Sequence, residues 1–221
     1  MTLTGLSPNT AYFYRVVTTD ESGNQAVSPI QAFATLSILP KILLVDDDHG
    51  DVLEKYFIAA LDANSLAYDV WDAFALGTTP NTADLAGYEM VIWNTGYDYL
   101  SATRGIRPEE EVAISSYLDG GGRMFISGQD VLYNGVSNSF QQDYLKVANF
   151  TNDVVEVPHV ETGVIGHPIG DNLVLKVSAP PEFPSLFVDA VEPTNDANGF
   201  LRHGFTLALY PFSAVSYHGN Y

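Results

Sequence analysis

The chain has no cysteine among its 221 residues. Basic residues are also scarce: nine Lys and Arg stand against 27 Asp and Glu, a formal net charge of −18. Without cysteine there is no disulfide, no thiolate metal site and no cysteine nucleophile, so thioester chemistry is excluded. A surface so short of positive charge is repelled by phosphate backbones and anionic lipid, which argues against nucleic-acid and membrane partners. It suits a saline or extracellular setting, or a surface that collects divalent cations. Long apolar runs are missing too. No stretch approaches the length that crosses a bilayer, and the first residues have neither the basic start nor the apolar core of a signal peptide. An extracellular location therefore requires a signal outside this chain. What is present is a globular composition, 46% hydrophobic and 12% aromatic, sufficient for one well-filled domain and a small appendage.

Residues 3–35 read differently from the rest. Leu3-Thr-Gly5-Leu6-Ser-Pro8-Asn-Thr10 leads into Tyr12-Phe-Tyr14-Arg15-Val16, which alternates with a strand period; a second extended stretch, Ala26 to Thr35, follows the turn Asp20-Glu-Ser-Gly23-Asn24. These segments resemble the last two strands of a fibronectin type III domain, including its tyrosine-corner region. The resemblance implies a partial domain over residues 1–36, a hairpin remnant with an unpaired edge and half a core. The chain is accordingly expected to be a fragment of a larger protein. The hairpin would dock on other domains of that parent, or on a second copy to give a homo-oligomer. Residues 36–40 make the linker.

The second domain is expected over residues 41–221. Ile42-Leu-Leu-Val-Asp46 is an aliphatic run ending in carboxylates, the pattern of a buried parallel strand. Val52, Leu53, Tyr56, Phe57, Ala60 and Leu61 are spaced for an amphipathic helix over 51–63. Further strands are expected at 68–71, 88–93 and 123–126, with a helix from Pro108 to about Leu118 stopped by Gly120-Gly-Gly122. Repeated strand–helix alternation predicts an α/β fold with a flavodoxin-like, doubly wound parallel sheet. Beyond Asn134, a helix is expected over 140–147. Short β segments at 153–157, 160–165, 172–177, 185–190 and 205–210, with a closing strand in 210–215, are expected to form a β-rich portion completing the sheet's edge.

Ligands in open α/β sheets bind beyond the carboxyl ends of the strands. Three such ends should meet on one rim: Asp46-Asp47-Asp48, Asn94-Thr95-Gly96 and Ser127-Gly128-Gln129-Asp130. Asp47, Asp48, Asn94, Thr95, Gly96, Tyr97, Gly128 and Gln129 are the predicted binding rim. The competing reading is that Asp48 and Asp51 merely cap the following helix. Tyr97, Tyr99 and Tyr133 offer aromatic surface for a peptide or sugar, whereas Trp93 fits core packing equally well. The acid run invites a receiver-domain reading, but Asn94 stands where a phosphoacceptor aspartate belongs, and an amide cannot form an acyl phosphate.

The segments 42–48, 68–72, 88–96 and 117–130 resemble the class I glutamine amidotransferase-like superfamily in its secreted bacterial and archaeal branch. The resemblance implies an extracellular accessory or binding module of a multidomain protein, usually without the amidotransferase nucleophile. Here Ser127 holds the place of that cysteine. An alternative is a serine hydrolase of esterase or peptidase type, with Ser127 as nucleophile, His159 or His167 as base and Asp130 or Glu156 orienting it. The flanking Phe125 and Gln129 depart from the small residues of a nucleophile elbow. Calcium or magnesium could take oxygen ligands from Asp46, Asp48 and Asp51. His159-Val-Glu161 with His167 only faintly resembles a transition-metal set, and no dedicated zinc site is expected.

Overall fold

The computed structural model describes residues 3–7, 10–35, 41–97, 105–133, 135–156, 158–178, 187–203 and 212–219. It divides into two units, 1–40 and 41–221. The expected linker 36–40, the segment 205–210, Tyr99 and Asn134 lie outside the described residues.

In the first unit the two expected strands are each broken in two. β1 (Ala11–Tyr14) pairs with β4 (Gln31–Ala34), and β2 (Val17–Thr19) with β3 (Gln25–Val27), all antiparallel. The turn between β2 and β3 is held by Asp20, whose Oδ1 accepts from the backbone N–H of Ser22 and Asn24 at 2.9 and 2.8 Å. Tyr12 stacks on Phe33 with ring centroids 5.7 Å apart, and its hydroxyl accepts from the Ser7 N–H at 2.7 Å. Phe13, Val16, Val17, Val27 and Ile30 are exposed, so this unit encloses no core of its own.

The second unit begins with β5 (Ile42–Asp46), α1 (Glu54–Ala63), β6 (Tyr68–Asp72), the short helices α2 (Ala73–Leu76) and α3 (Thr82–Leu85), β7 (Met90–Asn94), α4 (Pro108–Asp119) and β8 (Arg123–Ser127). Its strands form a parallel sheet in the order β6-β5-β7-β8. The aliphatic runs explain this placement. Leu43, Leu44 and Val45, with Val91, Ile92 and Trp93, are buried on both faces of the sheet. Odd positions Leu43, Val45, Val91 and Trp93 pack with Leu85, Ile114, Tyr117 and Phe140; Leu44 and Ile92 pack with Leu61 of α1. Each such side chain contributes roughly 1.5–3 kcal/mol on burial. Helix α4 opens on Pro108 and ends in the glycine run, where Gly122 is required: a Cβ there would lie 2.3 Å from the Tyr117 ring. That ring anchors the helix, its hydroxyl donating to the Tyr88 and Arg123 carbonyls at 3.2 Å.

Beyond β8 the chain is β-rich as expected, but the predicted arrangement is overturned. A π-helical turn (Phe140–Tyr144) replaces the expected helix over 140–147. It is followed by β9 (Val147–Glu156), β10 (His159–Gly163), β11 (Val174–Val177), β12 (Phe187–Pro193), β13 (Asn198–His203) and β14 (Phe212–Ser216). These strands do not complete the edge of the parallel sheet. They form a separate six-stranded sheet, order β11-β10-β13-β14-β12-β9, in which every described pairing is antiparallel. The chain is thus β-rich and is not a flavodoxin-like, doubly wound α/β fold: its larger sheet is antiparallel and carries no crossover helices among the described residues. The physical reason lies in connection length and in long-range pairing. A parallel neighbour needs a crossover of about a dozen or more residues; the described connections 164–173 and 194–197 are shorter, and the strand order is set by antiparallel pairings between strands distant in sequence, such as β9 with β12.

Candidate functional site

The carboxyl ends of the parallel strands carry a polar row. In register across the sheet stand Asp72, Asp46, Asn94 and Ser127. Because side chains alternate, this row continues the face of Leu44 and Ile92, while Asp47 and Thr95 turn to the opposite face. The strand ladder extends one step past the row: the Asp47 N–H donates to the Asn94 carbonyl and the Thr95 N–H to the Ser127 carbonyl, both at 2.9 Å. Gly128 fits closely here, since a Cβ would fall 1.8 Å from Thr95 Oγ1.

Each predicted rim residue has a definite place. Asp48 folds the loop between β5 and α1, its carboxylate accepting from the N–H groups of Gly50 and Leu53 at 3.0 and 3.1 Å; it does not cap α1, whose N-cap position is Leu53 with no side-chain cap. Its carboxylate also converges with those of Asp46 and Glu54, their ligand atoms within 4.8 Å of one another. Asp51 is exposed and stands outside that group; Glu54 takes the place predicted for it. Asp47 accepts from Trp93 Nε1 at 3.2 Å. Asn94 and Thr95 are buried, and Asn94 Nδ2 and Thr95 Oγ1 have no hydrogen-bond partner among the described residues. The Gln129 N–H donates to the Gly96 carbonyl at 2.8 Å, which ties the second and third strand ends together. Tyr97 is half-buried beside them, and Tyr133 is exposed.

Burying acids together moves their titration. Desolvation, then the charges of Asp48 and Glu54, push Asp46 up to about 7. Desolvation and the charge of Glu110 push Asp47 up to about 7, opposed by the Trp93 hydrogen bond and Arg107. Burial also raises Asp48, against the two backbone hydrogen bonds it accepts.

The predicted serine triad is not assembled. Ser127 is half-buried, and among the described residues no hydrogen bond joins its hydroxyl to a histidine. His167 is committed to a turn. Its Nδ1 accepts from the N–H groups of Ile169 and Gly170 at 3.1 and 3.2 Å, so its Nε2 carries the proton and faces Ser216 Oγ at 2.8 Å. His159 Nε2 lies 2.5 Å from Glu161 Oε1 in the antiparallel sheet. Asp130 orients neither ring.

Ser127 and Asp130 instead line a cavity of about 620 Å³. Its walls are largely apolar, including Met124, Ile126, Leu132, Val188 and Leu201, and its polar groups are Ser127, Gln129, Asp130, Asp189, Ser213 and Ser216. Asp130 sits on a left-handed backbone (φ 55°), buried, and its Oδ1 has no hydrogen-bond partner among the described residues. Its carboxylate converges with those of Asp153 and Asp189. Desolvation pushes Asp189 up to about 6 and raises Asp130, to which the neighbouring Asp153 charge adds. Asp153 and Asp189 escaped the sequence reading because their proximity depends on cross-strand register, which the sequence does not print. Comparisons with protein-family models, with curated proteins and with solved structures each returned no match.

Proposed function

We propose that the chain is an extracellular accessory module of a larger protein that binds a peptide segment in the cavity beyond the parallel strand ends. The occupant has an apolar body and a positively charged amine. The observation that carries this reading is the buried, unpartnered Asp130 Oδ1, held on a left-handed backbone at the wall of a largely apolar cavity and grouped with Asp153 and Asp189. Mostly apolar pockets with a few convergent polar groups are the usual form of ligand sites, and left-handed non-glycine residues are concentrated at functional positions. A strongly acidic chain attracts a cationic partner from a distance. The likeness of residues 3–35 to fibronectin type III strands, and of 42–130 to secreted amidotransferase-like segments, supports the accessory role, as does the absence of any cysteine. Calcium or magnesium at Asp46, Asp48 and Glu54 is compatible with this reading, since converging carboxylate oxygens are the ligands those ions take.

Because Asp189 and Asp130 titrate above the usual carboxylate range, affinity for the amine is expected to rise with pH through about 6, where Asp189 ionises. Binding of an apolar peptide amine followed by calorimetry at pH 5 and pH 7.5 checks this; equal affinity at both contradicts it. The hydrolase alternative is separated by incubation with a short p-nitrophenyl ester. No turnover above background is expected. Turnover that disappears in Ser127→Ala would replace the binding role with a catalytic one.

A further inference from the structure

Alternation on β10 places His159 and Glu161 on one face, and the β10–β13 register sets His203 directly opposite Glu161. All three are more than nine-tenths buried. Two imidazoles converge on a single carboxylate oxygen: Glu161 Oε1 is 2.5 Å from His159 Nε2 and 3.0 Å from His203 Nδ1. The other oxygen, Oε2, accepts from Ser213 Oγ on β14 at 2.5 Å. We infer that His159, Glu161 and His203 form a binding site for one transition-metal ion, for which zinc is the best match.

The donor set decides the ion. Two imidazole nitrogens and a carboxylate suit zinc and its first-row neighbours, whereas calcium and magnesium need a shell of oxygen ligands. The ligand atoms already lie within 4.8 Å of one another. Tetrahedral zinc, with bonds of about 2.0–2.2 Å, asks its ligands to stand roughly 3.4 Å apart, so the carboxylate need only retreat by less than about 1 Å. The Ser213 hydroxyl fixes the carboxylate's orientation from behind, as outer groups do in metal sites. All four residues project from paired strands rather than loops, which holds the geometry. Three protein ligands leave a fourth position, as in catalytic zinc centres. The cavity comes close to the group, since Ser213, which holds the Glu161 carboxylate, and Leu175, the register partner of Glu161, both line it. The inference stands independently of the peptide reading, because it rests on the antiparallel sheet alone.

The test is metal uptake by the full chain after treatment with EDTA. Titration with zinc sulfate, read by calorimetry, is expected to give one ion per chain, and cobalt substituted for zinc is expected to give the visible ligand-field bands of a tetrahedral site. Glu161→Gln and His203→Gln should abolish both signals, while His218→Gln, at an exposed histidine, should leave them unchanged. Should those variants fold poorly, the wild-type cobalt spectrum decides. Absence of stoichiometric uptake, absence of tetrahedral bands, or uptake that survives Glu161→Gln and His203→Gln would each overturn the inference.

Discussion

Arg107→Ala is expected to destabilise the second unit by about 1–3 kcal/mol, less than the full cost of breaking a buried ion pair because the Arg107 side chain is 38% exposed and partly screened by water. Glu110 lies in the first turn of α4 and is only 1% exposed. Its carboxylate is satisfied almost wholly by Arg107, whose backbone N–H donates to Oε2 at 2.8 Å and whose Nε donates to Oε1 at 2.7 Å, with a further contact from Nη2. Without the guanidinium a buried anion remains beside the acids of the rim. The loss reaches the site as well, because Arg107 is among the groups that hold Asp47 down. For a chain of this size the midpoint of thermal unfolding should fall by roughly 2–12 °C. The double variant Arg107→Ala with Glu110→Gln should regain more than half of that, since the stranded charge is gone. If the double variant is as unstable as the single one, packing rather than charge is at stake.

The second large effect is a loss of stability with rising pH. Asp46 and Asp47 titrate near 7 in the folded chain, well above the ordinary value of 3.8. Between these limits the folded state binds protons that the unfolded state has released, so stability falls as pH rises and the loss is complete above the folded values. Asp189, raised to about 6, acts in the same direction. Glu161 opposes them. Burial raises it, but hydrogen bonds from His203, Ser213 and His159 outweigh burial and hold it below the usual range, so its contribution is lost as pH falls into the acid range. Three raised aspartates outweigh the one lowered glutamate above 3.8, so greatest stability is expected on the acid side, at or below about pH 4. Asp47→Asn, which can still accept from Trp93, should add about 2–4 kcal/mol at pH 8 and almost nothing at pH 4. Denaturant unfolding at the two pH values measures this. An equal effect at both would show that the Asp47 charge is not buried at neutral pH.

The parallel half of the second unit was legible because its signal is local. The run Ile42–Val45 and the segment Met90–Asn94 each announce a strand buried on both faces, and the first carboxylate after an aliphatic run marks where the strand leaves the core. The spacing of Phe57, Ala60 and Leu61, and the proline and acids that open α4, likewise fixed two helices within a few residues. The antiparallel half was misjudged for the opposite reason. Its short segments carry no sign of which neighbour they join, and strand pairing there is set by contacts between residues far apart in sequence. The β13 strand over 198–203 was missed entirely, because Asn198-Gly199 reads as a turn.

The same contrast governs the candidate site. The row Asp46, Asn94 and Ser127 could be foreseen from three strand ends of one parallel sheet. His159-Val-Glu161 showed its alternation, but His203 lies 42 residues further on and meets Glu161 only through register. His167 and Ser127 illustrate the converse. A serine after a strand and a downstream histidine satisfy triad order, yet in the fold the imidazole is spent on its own turn and on Ser216.

The binding reading is tested most directly by nuclear magnetic resonance of the chain carrying labelled Ile, Leu, Val and Met methyl groups. It is titrated with a short apolar peptide bearing a free amine, and with its acetylated form. The account predicts saturable shifts at Met124, Ile126, Leu132, Val188 and Leu201 with the free amine, much weaker ones with the acetylated peptide, and loss of the difference in Asp130→Asn with Asp189→Asn. Cavity methyls that stay unmoved at saturating peptide, or that respond equally to both forms, would contradict it.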